Sequence, residues 1–86
     1  MQEYQVGHIV CSTAGHDRGF FYIIADVDDT YVYLVDGKHR LVSKPKRKKK
    51  KHVSYLGIIS QGNVTLATDL EYKRELKRFK MDSQRI

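Results

Sequence analysis

Apolar residues fall in short clusters over the first sixty positions and then change to a helical spacing. Residues 6–11 (VGHIVC) form the first cluster, with Val6, Ile9, Val10 and Cys11 available to a core. A polar connection, residues 12–19, is bracketed by Gly15 and Gly19. Residues 20–27 are apolar at almost every position, as expected of a strand covered on both faces. Asp28-Asp29-Thr30 reads as a tight turn, and residues 31–35 (YVYLV) are β-branched and aromatic, suited to a pleated surface. Asp36-Gly37 offers the positive backbone dihedrals of a two-residue hairpin, so residues 38–42 are expected to return as a fourth strand. The segment that follows is expected to be a loop or an exposed edge, because Pro45 cannot donate to a ladder. Residues 52–59 resume the pattern through Val53, Tyr55, Leu56, Ile58 and Ile59 as a closing strand. About five short strands with tight turns predict a mainly β fold, a small barrel whose closure removes exposed edges.

Beyond Gly62-Asn63 the period becomes helical. Thr68-x-x-Glu71 is a capping box, in which hydroxyl and carboxylate satisfy backbone donors at a helix start. Tyr72, Leu76 and Phe79 then form an apolar stripe, with Lys73, Arg74, Lys77, Arg78 and Lys80 largely opposite. Pairs Asp69–Lys73, Glu71–Arg74 and Glu75–Arg78 are spaced to support the helix. A short helix is marginal alone, so the stripe is expected to dock on the barrel or on a partner. The domain reading is a barrel over 1–60 including a basic loop at 44–52, a linker at 61–67, an amphipathic helix at 68–81 and a tail at 82–86.

A chain of 86 residues is one domain near the lower size limit for a self-sufficient core. The single Cys11 makes no internal disulfide, which fits a reducing compartment. No apolar segment approaches the roughly 20 residues of a membrane span, and the N-terminus lacks a secretion-signal pattern. A soluble, cytoplasmic protein with no membrane partner is expected.

Charge sharpens the picture. The chain carries 16 basic and 10 acidic residues, a net of +6. Seven of the basic residues lie between 44 and 51: Lys44, Lys46, Arg47, Lys48, Lys49, Lys50 and Lys51. Without them the balance is 9 basic to 10 acidic, a net of −1. Such a run is self-repelling unless solvent or a polyanion takes it up, and a nucleic-acid backbone gains affinity by releasing counterions to it. A solvated, disordered loop and a nuclear-localisation signal are the competing readings.

Residues 6–27, VGHIVCSTAGHDRGFFYIIADV, resemble the KOW motif: an opening glycine, an apolar strand, a loop with Gly15 and Gly19 four apart, and a second apolar strand. The loop is expected to display His16, Asp17 and Arg18 outward, where a guanidinium and backbone amides can hold phosphate. Residues 31–56 are similar to the stretch that follows the motif in the fourteenth large-subunit ribosomal protein family of archaea and eukaryotes and its short bacterial relatives. The resemblance implies an SH3-like β-barrel with a short C-terminal helix, RNA binding and ribosome association. Its implied partners are large-subunit rRNA, the ribosome and ribosomal proteins, with a monomer when free. Candidate RNA contacts are Thr13, His16 and Arg18 in the loop, Lys38 and Arg40 beside the hairpin turn, and Lys44, Lys46, Arg47, Lys48, Lys49, Lys50 and Lys51. Tyr22, Tyr31, Tyr33 and Tyr55 can stack bases, although packing in the core or sheet is the commoner role of strand tyrosines.

Catalysis has little support. One cysteine and scattered histidines do not supply zinc-ligand spacing, and the acids lie at turns, so no metal, cofactor or enzymatic role is expected. A protein-interaction module and a DNA-binding, transcription-associated KOW factor remain the alternatives.

Overall fold

The computed structural model describes residues 3–83. Five strands form one antiparallel sheet: β1 (His8–Ser12), β2 (Phe21–Val27), β3 (Tyr31–Val35), β4 (Lys46–Lys49) and β5 (Val53–Ile58), in the order β4-β3-β2-β1-β5. A 3₁₀ turn, Lys50–His52, joins the two edge strands, and helix α1 (Asp69–Ser83) closes the described chain. The architecture is mainly β with one C-terminal helix and is compatible with a small SH3-like β-barrel.

The nearly continuous apolar run of β2 is explained by cores on both of its faces. Ile9, Ile23 and Val35 stand opposite one another across β1, β2 and β3, and they pack with Ile59, Leu66, Tyr72 and Leu76 beneath the helix. The alternate residues Val10, Tyr22, Ile24, Val32 and Leu34 form a second cluster with Val53 inside the curved sheet. The apolar stripe of α1 is therefore docked on the sheet, and a partner is not what covers it. Tyr72 and Leu76 are buried, while Phe79 lies against Gly57 of β5 and edge-on to Phe21. A side chain at residue 57 would collide with the Phe79 ring.

The fourth strand is displaced from its expected place. Asp36 Oδ1 accepts hydrogen bonds from the amides of Lys38, His39 and Arg40 at 2.9, 2.8 and 2.7 Å. Those donors are thereby withdrawn from any ladder, and residues 36–40 coil into a loop. Pairing with β3 resumes at Lys46, one residue past Pro45, so the basic run itself becomes the edge strand.

Helix entry follows the expected capping box. Thr68 Oγ1 accepts from the Glu71 amide at 3.3 Å, and Glu71 Oε1 accepts from the Thr68 amide at 3.1 Å. The acids of the three pairs expected along the helix, Asp69, Glu71 and Glu75, bond to backbone amides. Glu71 completes the cap, Asp69 accepts from the Val42 amide at 2.7 Å, and the buried Glu75 accepts from the Ser60 amide at 2.9 Å. The closing strand also differs: Val53 and Ile59 are buried, but Tyr55, Leu56 and Ile58 are exposed along the β5 edge. Residues 84–86 of the expected tail lie outside the described residues, and 82–83 belong to α1.

Candidate nucleic-acid interface

Strand alternation sorts the basic run into two faces. Lys46 and Lys48 stand opposite Leu34 and Val32, both buried, whereas Arg47 and Lys49 stand opposite Tyr33 and Tyr31 on the outer face. Lys48 is accordingly 8 % exposed, and its Nζ donates to Asp17 Oδ1 at 2.7 Å. This corrects two expectations. Asp17 is turned inward and not displayed, and Lys48 is not an available phosphate contact.

Asp17 is the centre of a small network. Besides Lys48, Ser12 Oγ donates to its Oδ1 at 2.8 Å and the Tyr22 hydroxyl to its Oδ2 at 3.1 Å. Burial alone would raise the Asp17 pKa, but the bonds from Lys48, Ser12 and Tyr22 outweigh it and hold the carboxyl down at about 2. Burial, reinforced by the bond to Asp17, pushes the Tyr22 hydroxyl up to about 12.

The network has a geometric consequence. The loop that joins β1 to β2 is stitched to the basic segment at two points: Lys48 to Asp17, and the Thr13 amide to the His52 carbonyl at 2.9 Å. Thr13, His16 and Arg18, all exposed, thus lie on a loop fixed against the strand and turn that carry Arg47, Lys49, Lys50 and Lys51. Gly15 and Gly19 shape this loop with φ of +84° and +91°, the left-handed region that glycine enters without strain. Arg47 is exposed and lies with its guanidinium carbon 4.6 Å from the centroid of the Tyr31 ring, a cation–π contact that orients the side chain. Tyr31 and Tyr33 are half-buried and Tyr22 is fully buried, so among these four tyrosines Tyr55, 39 % exposed, has the most open ring.

The remaining candidates lie toward the helix. Lys38 lines a groove with Lys73 and Lys77 of α1, and the backbone around Lys44 is anchored near it because Val42 binds Asp69. Arg40 is half-buried. The outer face of β4 has an acidic boundary: Asp29 shares a shallow depression with Lys49, Lys50 and Lys51. Among the described residues no group of three or more His, Cys, Asp or Glu side chains gathers as a metal site would require. No described helix is long and apolar enough to cross a membrane.

Two features were not visible in the chain alone. The Asp17 network needs the strand register to reveal it, and the exposed Phe20 reads as part of an apolar strand until β2 is seen to begin one residue later. No protein-family model matches the chain, and no curated protein matches it in sequence.

Proposed function

We propose that this protein is a cytoplasmic, ribosome-associated RNA-binding module that acts by binding and not by catalysis. The observation that carries the reading is the stitching of the residue 12–19 loop to the basic edge strand through Asp17 and Lys48. It ties the loop that carries Arg18, far away in sequence, to the strand and turn that carry Arg47, Lys49 and Lys51, and all four of these side chains are exposed. Guanidinium and ammonium groups held in one place favour a phosphate backbone, and such contacts position a polyanion without reading its sequence. The likeness of residues 6–27 to the KOW motif supports the same reading, and that of residues 31–56 to a large-subunit ribosomal protein family suggests large-subunit rRNA as the target.

Sedimentation of cell lysate on a sucrose gradient tests it, with salt washes and a nuclease-treated control. Co-migration with the large ribosomal subunit that is lost in high salt or after nuclease is expected. Migration at the top of the gradient in low salt would overturn the ribosomal assignment.

A second reading rests on a separate observation. Tyr55, Leu56 and Ile58 are exposed on the unpaired edge of β5, a surface suited to strand addition by a protein partner. Association with the ribosome that survives nuclease would favour this surface over the cationic one.

A further inference from the structure

A groove of about 650 Å³ runs between the C-terminal half of α1 and two loops of the sheet. Its walls include Phe20, Lys38, His39, Lys73, Lys77 and Met81. The volume lies within the roughly 300–1,000 Å³ of small-ligand pockets, although this one is open along its length. Phe20 is 47 % exposed at its entrance, and the His39 ring is 6.0 Å away at 39° to it. Neither Lys38, Lys73 nor Lys77 has an acidic partner within ion-pair distance among the described residues. Asp36, the acid in the wall, is already engaged by the amides of residues 38–40 and by His39 Nδ1 at 3.4 Å.

We propose that this groove takes an unpaired nucleotide of the bound RNA, its base on Phe20 and its flanking phosphates on Lys38, Lys73 and Lys77. The inference rests on the RNA-binding reading and adds to it a preference for single-stranded segments. Three observations favour a nucleotide. An exposed aromatic ring in a groove that lysines also line is suited to stack a base while holding its backbone. The excess of positive charge complements phosphate. Gly19 and Phe20 also end the same loop that Asp17 ties to the basic strand, so one RNA chain can run from the β4 face into the groove.

The test is fluorescence anisotropy on the full chain with two labelled probes: a single-stranded RNA of about ten nucleotides and a blunt duplex of similar length. Phe20→Ala is expected to weaken the single strand on the order of tenfold and the duplex by less than about twofold. Lys73→Gln with Lys77→Gln is expected to weaken the single strand too, and circular dichroism checks that each variant is folded. Single-strand binding unchanged in both variants, but weakened in Arg47→Ala/Lys49→Ala, would overturn the groove and leave the RNA-binding reading standing. Failure of the unaltered protein to bind either probe at low salt would overturn that reading itself. Retained RNA affinity in Phe20→Ala, with Phe20-dependent binding of an acidic, phenylalanine-containing peptide, would overturn the nucleotide in favour of a protein ligand.

Discussion

Burying a lysine inside a cationic run requires a counter-charge, and Asp17 supplies it from 31 positions away in sequence. With side-chain exposures of 8 % and 13 %, the two groups are largely desolvated, so removing either has unequal consequences. Asp17→Asn leaves the Lys48 ammonium buried without its counter-charge and is expected to cost about 3–5 kcal/mol in chemical denaturation. Lys48→Met keeps the stem and removes the ammonium, leaving Asp17 with Ser12 and Tyr22, and is expected to cost less. The low pKa of Asp17 also sets a pH dependence. A carboxyl held down at about 2 against an ordinary 3.8 stabilises the fold above about pH 4, and that contribution is lost as pH falls through about 2. The stabilisation at stake is about 2 kcal/mol, and Asp17→Asn should abolish this part of the acid profile. None of this was legible residue by residue. A polar loop between glycines has no periodicity to show which side chain turns inward, and Lys48 reveals its inward direction only once it is seen opposite Val32.

Elements with a local signal lie where the sequence predicts them. β3 spans the five residues expected of it, β2 begins one residue late, and the capping box opens α1 where Thr68 and Glu71 place it. The fourth strand lies later than the hairpin rule predicts because two local signals compete. Asp36-Gly37 satisfies a hairpin rule, but the Asp36 carboxylate captures three amides and coils the chain, a choice between side-chain and ladder hydrogen bonds that spacing does not reveal. Gly37 has a second role in this loop. Its φ is +78°, and a Cβ there would run into the Asp69 carbonyl at the start of α1. Gly37→Ala is therefore expected to lower stability by more than about 1 kcal/mol through backbone strain alone, with a further loss from displacement of the helix. Thermal denaturation of the variant against the unaltered protein measures it, and an unchanged midpoint would contradict the close packing of loop on helix.

At the scale of the whole molecule, charge is segregated by topology. The run of seven basic residues accounts for the net charge, and folding divides it into one buried lysine, an outer face on β4 and a turn that meets the residue 12–19 loop. Acidic Asp28 and Asp29 mark one end of that face, with Asp28 accepting from the Tyr33 hydroxyl at 2.7 Å. The cationic character of the site was legible in the sequence, because a density of like charge needs no structure to be seen. Which of the lysines remain available was not, since that depends on the register of an edge strand.

The central claim, that the exposed basic residues of β4 and the turn after it bind RNA phosphate, is tested most directly by the salt dependence of affinity. Binding of an rRNA fragment would be measured over a range of salt for the unaltered protein and for Arg47→Ala/Lys49→Ala/Lys51→Ala. Each lost phosphate contact flattens the slope of log affinity against log salt by roughly 0.7–0.9, so the triple variant should be shallower by about two. An unchanged slope with unchanged affinity would show that the outer face of β4 does not touch the RNA and would contradict the account.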